Sequence, residues 1–527
     1  MSVLTGVRRR GQSAADSLFE ALADPARRER MVVTGLLAYV ALWTLYGTLA
    51  KASQDIHADM SEQFVLSREL AWGYPKHPPF TMALVRVWFA IFPTADWAYY
   101  LLAAATEGVT LWIVWVLSAR FLDHEKRVLG IALLTLIPFF NFHALKFNVN
   151  VVLMPLWAAT TLCFLRSFET RRLLDAAWTG LLAAACMYGK YWSIVLLLGL
   201  GVAALIDRRR ADYFRSPAPW VTIAVGALAL APHVAWLIAN DFVPFSYAVG
   251  IHHGDSAAST VLAALGYLLG SVGYTAVPLG ILVLIARPSR ATLADMAWPA
   301  DPARRLAAAA FWATLLLPAV VAPLVSIELV SLWSMSAWTL LPVMLLSSPL
   351  VVVGRSDAAR VLALAVGFPT VMVMIAPAVA YGIHRAGPPP SSAHASLLVD
   401  PMARLWRETT DRPLRLFAGS DFTDGVAFYM SSHPQAVHTL DDRLVPGIEE
   451  RVAHEGIAML CPERAGMPET APWCVNAGNA VAARFPEGKR AKVEVVRYYL
   501  GVAGEPARYL LFAIPPQQPL NSGSDPP

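Results

Sequence analysis

Asp59-Met-Ser-Glu62 sets two carboxylates three residues apart, and Gly73-Tyr-Pro-Lys-His-Pro-Pro79 follows after a short helical run. The pattern predicts a helix over 60–72 with Asp59 as its N-cap, so that Asp59 and Glu62 share one side of the helix start. One chemistry for such a pair is a general base with a supporting carboxylate. The plainer alternative is a helix cap beside a solvated surface acid. Pro75, Pro78 and Pro79 fix the backbone on both sides of Lys76 and His77, which holds a cation and an imidazole in place next to Tyr74. That pairing suits an anionic head group; the alternative is a lysine snorkelling at an interface.

Four further positions carry polar chemistry. Lys190 lies in Met187-Tyr-Gly-Lys-Tyr-Trp192, at a turn between two short apolar runs. A lysine at a membrane boundary needs a partner or solvent, so it reads either as a second phosphate contact or as an anchor beside Tyr191 and Trp192. Lys146-Phe-Asn148-Val-Asn150, preceded by His143, offers asparagines that either cap the next helix or hydrogen-bond a polyhydroxylated substrate. His233 within an apolar run reads as a structural hydrogen-bonder. His252-His253 with Asp255 is a weak metal candidate, since adjacent residues rarely ligate one ion. No Walker A loop, no strand-borne GxGxxG, no HExxH and no zinc CxxC pair occurs. A divalent metal therefore has no clear ligand set, and nucleotide-driven transport has no support.

The elements that must position these residues are membrane helices. Of 527 residues 56% are hydrophobic and 15% charged, with mean hydropathy +0.49, against about 25% charged in an ordinary soluble domain. Runs long enough to span, roughly 20 apolar residues each, fall near 31–50, 96–121, 128–146, 150–168, 173–189, 191–206, 219–239, 259–286, 306–325, 330–353 and 360–383. The chain reads as a polytopic α-helical membrane protein with about eleven spans. The segment 80–93 is apolar but short and reads as a helix lying in the interface. The first thirty residues carry Arg8, Arg9, Arg10, Arg27, Arg28 and Arg30 without an early apolar core, so no cleavable signal peptide is expected and residues 1–30 form a basic cytoplasmic segment.

Charge sets the expected orientation. With the N-terminus inside, the inner loops hold Lys126 and Arg127, the Arg166–Arg172 and Arg208–Arg215 clusters, Arg287, Arg290, Arg304 and Arg305, then Arg355 and Arg360. The outer segments hold only Lys51, Arg68, Lys76, Arg86, Lys146 and Lys190 before the tail. The expected organisation is a membrane domain over 31–384 with its first outer loop at 51–95. A linker over 385–395 containing Gly387-Pro-Pro-Pro follows, then a small extracytoplasmic α/β domain over 396–515 and a disordered tail over 516–527. Strands are expected at 413–420, 436–440, 456–461, 492–499 and 507–514. An exported tail predicts a disulfide between Cys461 and Cys474, whereas Cys163 and Cys186 read as inert buried thiols. Net charge of +4 is explained by topology and gives no argument for nucleic acid.

An Asp opening a first outer loop, an acidic companion and Gly73-Tyr-x-x-His-Pro-Pro79 resemble the GT-C glycosyltransferases of the protein O-mannosyltransferase type. The resemblance is closer to bacterial lipid-linked-sugar transferases, among them lipid A aminoarabinose transferases and rhizobial lipopolysaccharide galacturonosyltransferases. It covers about residues 30–260, through Lys190 and Pro232-His-Val-Ala-Trp236, is topological only over 260–383 and is weak for the tail. It implies an inverting transfer from a polyprenyl-phosphate sugar to an envelope acceptor at the outer face of the bacterial inner membrane. That acceptor would be lipopolysaccharide or lipid A, another glycan, or a protein. By resemblance, Asp59 activates the acceptor hydroxyl and Glu62 supports it or orients the acceptor. Lys76, His77 and Lys190 stabilise the departing lipid phosphate, with Tyr74, His143, Asn148, Asn150 and Tyr191 as substrate contacts. The sequence departs from the family where Met60 follows the Asp in place of a second acid, and where Asn148 and Asn150 stand in place of an outer-loop Asp. Other classes that fit a polytopic chain are a transporter or flippase of a lipid-linked glycan and a non-catalytic envelope scaffold. No internal repeat is seen, and the polar residues gather at one face, which favours the enzyme.

Overall fold

The computed structural model describes residues 16–17, 19–419, 423–438, 440, 447–463, 470–485 and 487–517. Arg8, Arg9 and Arg10, and residues 518–527 of the disordered tail expected over 516–527, lie outside the described residues. The chain divides into two compact units. One comprises residues up to Leu45, Ala71–Thr81 and Tyr100–Val373; the other comprises Tyr46–Leu70, Met82–Tyr99 and Met374 onwards.

The first unit is helical. Seven described helices of the chain are long and apolar enough to cross a membrane: Pro25–Ala50, Asp96–Ser118, Val149–Thr170, Ala218–Ala239, Ala257–Tyr274, Pro302–Leu324 and Arg355–Ala386. Leu173–Gly189, Tyr191–Ile206, Ala276–Ala286 and Ser331–Leu346 are shorter apolar segments. Small residues let neighbouring backbones approach: a Cβ on Gly180 would stand 2.3 Å from the Thr222 carbonyl oxygen, and one on Gly199 2.3 Å from Thr314 Oγ1. Three expected spans are corrected. The helix expected over 128–146 runs His124–Leu134 and stops before Pro138–Phe140, a single 3-10 turn, because Pro138 has no amide hydrogen to continue the ladder. The run expected over 259–286 breaks at Thr275, and that over 330–353 is the 3-10 helix Ser331–Leu340 followed by the short helix Leu341–Leu346. Inside Asp96–Ser118, Glu107 is fully buried and neither carboxylate oxygen has a hydrogen-bond partner among the described residues.

The second unit contains the sheet. Its strands are β1 (Leu416–Gly419), β2 (Gln435–Val437), β3 (Ile457–Pro462), β4 (Lys489–Val495), β5 (Tyr498–Tyr499), β6 (Val502–Ala503) and β7 (Ala507–Ile514). The order is β2-β1-β3-β7-β4, with β5 and β6 a separate ribbon. β1 pairs in parallel with β2 and β3, while β7 runs antiparallel to β3 and β4. Strand β3 reads as an unbroken apolar run because both of its faces are covered. On one face Phe417, Leu460 and Leu511 pack with Leu398, Met402 and Trp406 of the helix Ala395–Thr409. On the other, Leu416, Met459 and Phe512 pack with Ile448, Val452 and Phe485. The odd–even alternation along β1 is what sends Phe417 to one core and Leu416 and Ala418 to the other. Cys461 and Cys474 are joined by a disulfide, with Cα atoms 5.6 Å apart. The strand expected over 436–440 is β2, ending at Val437; residue 439 lies outside the described set.

Candidate active site

Within the second unit, the helix Ala58–Ser67 carries the acidic pair. Its cap is His57, whose Nδ1 accepts the Asp59 backbone N–H at 3.1 Å. Asp59 is therefore in the first turn, where a carboxylate favours the positive end of the helix dipole, and the expectation that it caps the helix is corrected. The same His57 Nδ1 lies 3.4 Å from Asp59 Oδ1. Met60, Gln63, Phe64 and Ser67 are buried while Asp59, Glu62 and Leu66 stay partly accessible. The helical period of 3.6 puts both carboxylates on the accessible side. The buried side is anchored by Phe64, with ring centroids 5.3 Å from Phe89 and 5.0 Å from Phe428, and by the Tyr99 hydroxyl donating to the Met60 carbonyl at 2.7 Å.

The cations belong to the first unit. Gly73 is buried against the face of Trp236, where a Cβ would come within 2.2 Å of the ring. This close approach is the reason a glycine opens the Gly-Tyr-Pro-Lys-His-Pro-Pro segment. The Tyr74 N–H donates to the His77 carbonyl at 3.0 Å, closing the loop around Pro75 and Lys76. Lys76 Nζ lies 5.8 Å from the centre of the Tyr247 ring. Just before the motif, the Trp72 carbonyl accepts from His233 Nδ1 at 2.5 Å. This bond leaves Nε2 of His233 to accept from the Tyr191 hydroxyl at 3.0 Å, with the two rings stacked. His233 is thus a structural hydrogen-bonder, and Tyr191 is held by it.

Lys190 is held by an amide oxygen and an aromatic face. Its ammonium donates to Asn150 Oδ1 at 2.8 Å and stands 4.8 Å from the centre of the Trp333 ring. Trp333 is fixed in turn by the Trp192 indole, which donates to its carbonyl at 3.0 Å, and by an edge contact with His252 at 4.8 Å. Burial, and then the Lys190 charge, hold the His252 imidazole below its ordinary pKa. The two asparagines separate in role: Asn148 caps the helix Val149–Thr170 by accepting the Asn150 N–H at 2.9 Å, and Asn150 holds Lys190. His143 packs against Tyr274 at 5.0 Å, away from these bonds. Among the described residues no group of three or more His, Cys, Asp or Glu side chains is arranged to hold a metal ion.

Asp59 and Glu62 therefore share one helix face, and Lys190 and Asn150 are brought together across 40 residues of sequence. Sequence reasoning missed Tyr247 and Trp333 beside the basic positions, and named Trp236 without its packing against Gly73. All three lie in helices, Ala218–Ala239, Val243–His252 and Ser331–Leu340, where an aromatic residue marks an interface as readily as a site.

A helical membrane bundle with a polar loop cluster and a small sheet domain is the GT-C fold. Residues 76–236 match the family model described as dolichyl-phosphate-mannose-protein mannosyltransferase. Two solved structures of ArnT from Cupriavidus metallidurans share the fold. One is bound to undecaprenyl phosphate, with TM-score 0.60 and 12% identity, covering 93% of this chain and 98% of that one. The other, in the apo state, has TM-score 0.58 and 11% identity over the same shares of the two chains. At these identities the likeness is one of fold. No curated protein sequence matches the chain.

Proposed function

We propose that this chain is an inverting membrane glycosyltransferase that uses a sugar carried on a polyprenyl phosphate. The observation that carries the reading is the co-occurrence of two things. The fold extends over nearly all of a protein solved with undecaprenyl phosphate, and the family model begins to match at Lys76 and His77, shortly after the Asp59/Glu62 pair. Asp59 takes the proton of the acceptor hydroxyl as the oxygen attacks the anomeric carbon. The bond from that carbon to the phosphate oxygen breaks with inversion, and polyprenyl phosphate leaves. Glu62 orients the acceptor or supports Asp59. Lys76, His77 and Lys190 take up the charge that develops on the leaving phosphate, the place where preorganised cations lower a barrier most. Tyr74 and Tyr191 flank the basic positions, and Asn150 holds Lys190 in place.

The charge asymmetry of the loops supports a cytoplasmic N-terminus, with the motif loop and the sheet domain on the outer side of the inner membrane of a bacterium. The acceptor is then an envelope component: lipid A or lipopolysaccharide, another glycan, or a protein. Membranes containing the wild-type chain, supplied with defined polyprenyl-phosphate sugars, should transfer sugar to envelope acceptors. Asp59→Asn should abolish that transfer while leaving the protein folded. Full transfer by Asp59→Asn would remove the base assignment, and no transfer from any donor by wild type would remove the enzyme reading.

A further inference from the structure

The first-loop helix does not stand on its own hydrogen bonds. Asp55, three residues before it, is 2% exposed and is held from three sides. Arg497 Nη2 donates to Asp55 Oδ1 at 2.6 Å, the Ser396 hydroxyl donates to the same oxygen at 2.6 Å, and the Ser396 N–H reaches Oδ2 at 3.3 Å. Arg497 is itself oriented by donating Nε–H to the Ala393 carbonyl at 2.7 Å. The Asp55 N–H donates to the Ser392 carbonyl at 2.8 Å, and the next amide, of Ile56, donates to the Tyr429 hydroxyl at 2.9 Å. Tyr429 in turn hydrogen-bonds the Asp96 carboxylate. Burial, then Asp96 and Asp55, hold the Tyr429 phenol well above its ordinary pKa, so it remains a donor.

These partners come from sequence positions more than 300 residues away, yet all lie in the second unit with the helix they hold. Nothing in this network is a reacting group of the proposed transfer. It fixes the two residues that precede the His57 cap of the Asp59 helix, while Phe428 fixes its buried side through Phe64. A buried ion pair is weak as a stabilising device and well suited to specifying a unique geometry.

We propose that Arg497 and Tyr429 are positioning residues for the transfer reaction: through Asp55 and Ile56 they set the register and orientation of the helix that presents Asp59 and Glu62. The sheet domain is, on this inference, the support of the acidic pair. The inference rests on the proposed roles of Asp59 and Glu62 for its kinetic consequence, and on the geometry alone for its structural one.

The test uses the full chain in lipid nanodiscs, with two readouts. Hydrogen exchange of peptides covering 55–67 reports the helix, and peptides covering β3 and β7 report the sheet. Steady-state transfer from a defined undecaprenyl-phosphate sugar reports the reaction. Tyr429→Phe and Arg497→Met should raise exchange at 55–67 with β3 and β7 still protected. They should also lower kcat by about 10²-fold with the donor KM unchanged, the signature of a misplaced reacting group. Arg497→Lys should recover part of kcat. Unchanged exchange at 55–67 in both variants, or a loss expressed only in donor KM, would overturn the proposal. If Arg497→Met loses the β3 and β7 protection, Tyr429→Phe, which keeps the ring packing, decides alone. Exchange changes without transfer by wild type would sink the enzyme reading and leave the support role standing, so the two failures are distinguishable.

Discussion

Lys190 donates to Asn150 Oδ1 at 2.8 Å, and this single bond sorts two asparagines that look alike in sequence. Asn148 satisfies a helix end, and Asn150 aims a cation. One amide oxygen and one indole face fix where the Lys190 charge lies. Lys190→Ala should lower kcat/KM for a lipid-phosphate donor by about 10²-fold, the scale of losing one preorganised donor. Asn150→Ala should cost less, about tenfold, because the charge stays and only its aim is lost. Equal losses in the two variants, measured by transfer kinetics in membranes, would show that Asn150 does more than hold Lys190.

Glu62 shares the accessible helix side with Asp59 but stands one turn further in. Removal of a general base costs about 10²–10⁴-fold in rate. Asp59→Asn should therefore show the full loss and Glu62→Gln a smaller one. The reverse ranking would exchange the two roles.

Gly73 has no room for a side chain beside Trp236. Gly73→Ala should destabilise the protein by about 1–3 kcal/mol through overpacking, read as a lower melting temperature in detergent. Pairing it with Trp236→Leu should recover part of that loss by opening the space the new methyl needs.

The Cys461–Cys474 bridge closes a short loop between β3 and the helix Thr470–Arg484. By loop-closure entropy it is worth about 3 kcal/mol. The Cys461→Ser/Cys474→Ser pair should unfold the sheet domain at lower temperature, and a reducing agent should do the same to wild type and nothing further to the variant.

Glu107 is buried with both oxygens unsatisfied among the described residues, and such a group costs about 1–3 kcal/mol where it lies. Glu107→Leu, close in volume, should raise the melting temperature. A stabilised variant that has lost transfer would mark Glu107 as retained for the reaction.

Composition and charge order decided much of this protein before any folding is considered. Apolar runs of spanning length demand helices in lipid, the skewed Lys and Arg distribution argues one orientation, and the short apolar runs within 413–420, 456–461 and 507–514 read as strands. Pro138 and Thr275 show where local sequence overrode a hydropathy reading, because hydropathy measures burial and says nothing of whether the backbone ladder continues. The motif residues were legible as types and spacings, since a helical period places Asp59 and Glu62 together without reference to the rest of the chain. Tertiary structure alone decided their partners. Lys190 finds Asn150, Gly73 finds Trp236, and Asp55 finds Arg497 across separations for which no periodicity exists, because long-range hydrogen bonds and close packing depend on where the whole chain folds back. The two halves of the opening motif show the same division. Spacing put its carboxylates on one face of one helix, and only the fold supplied the buried Asp55–Arg497 pair on which that helix rests.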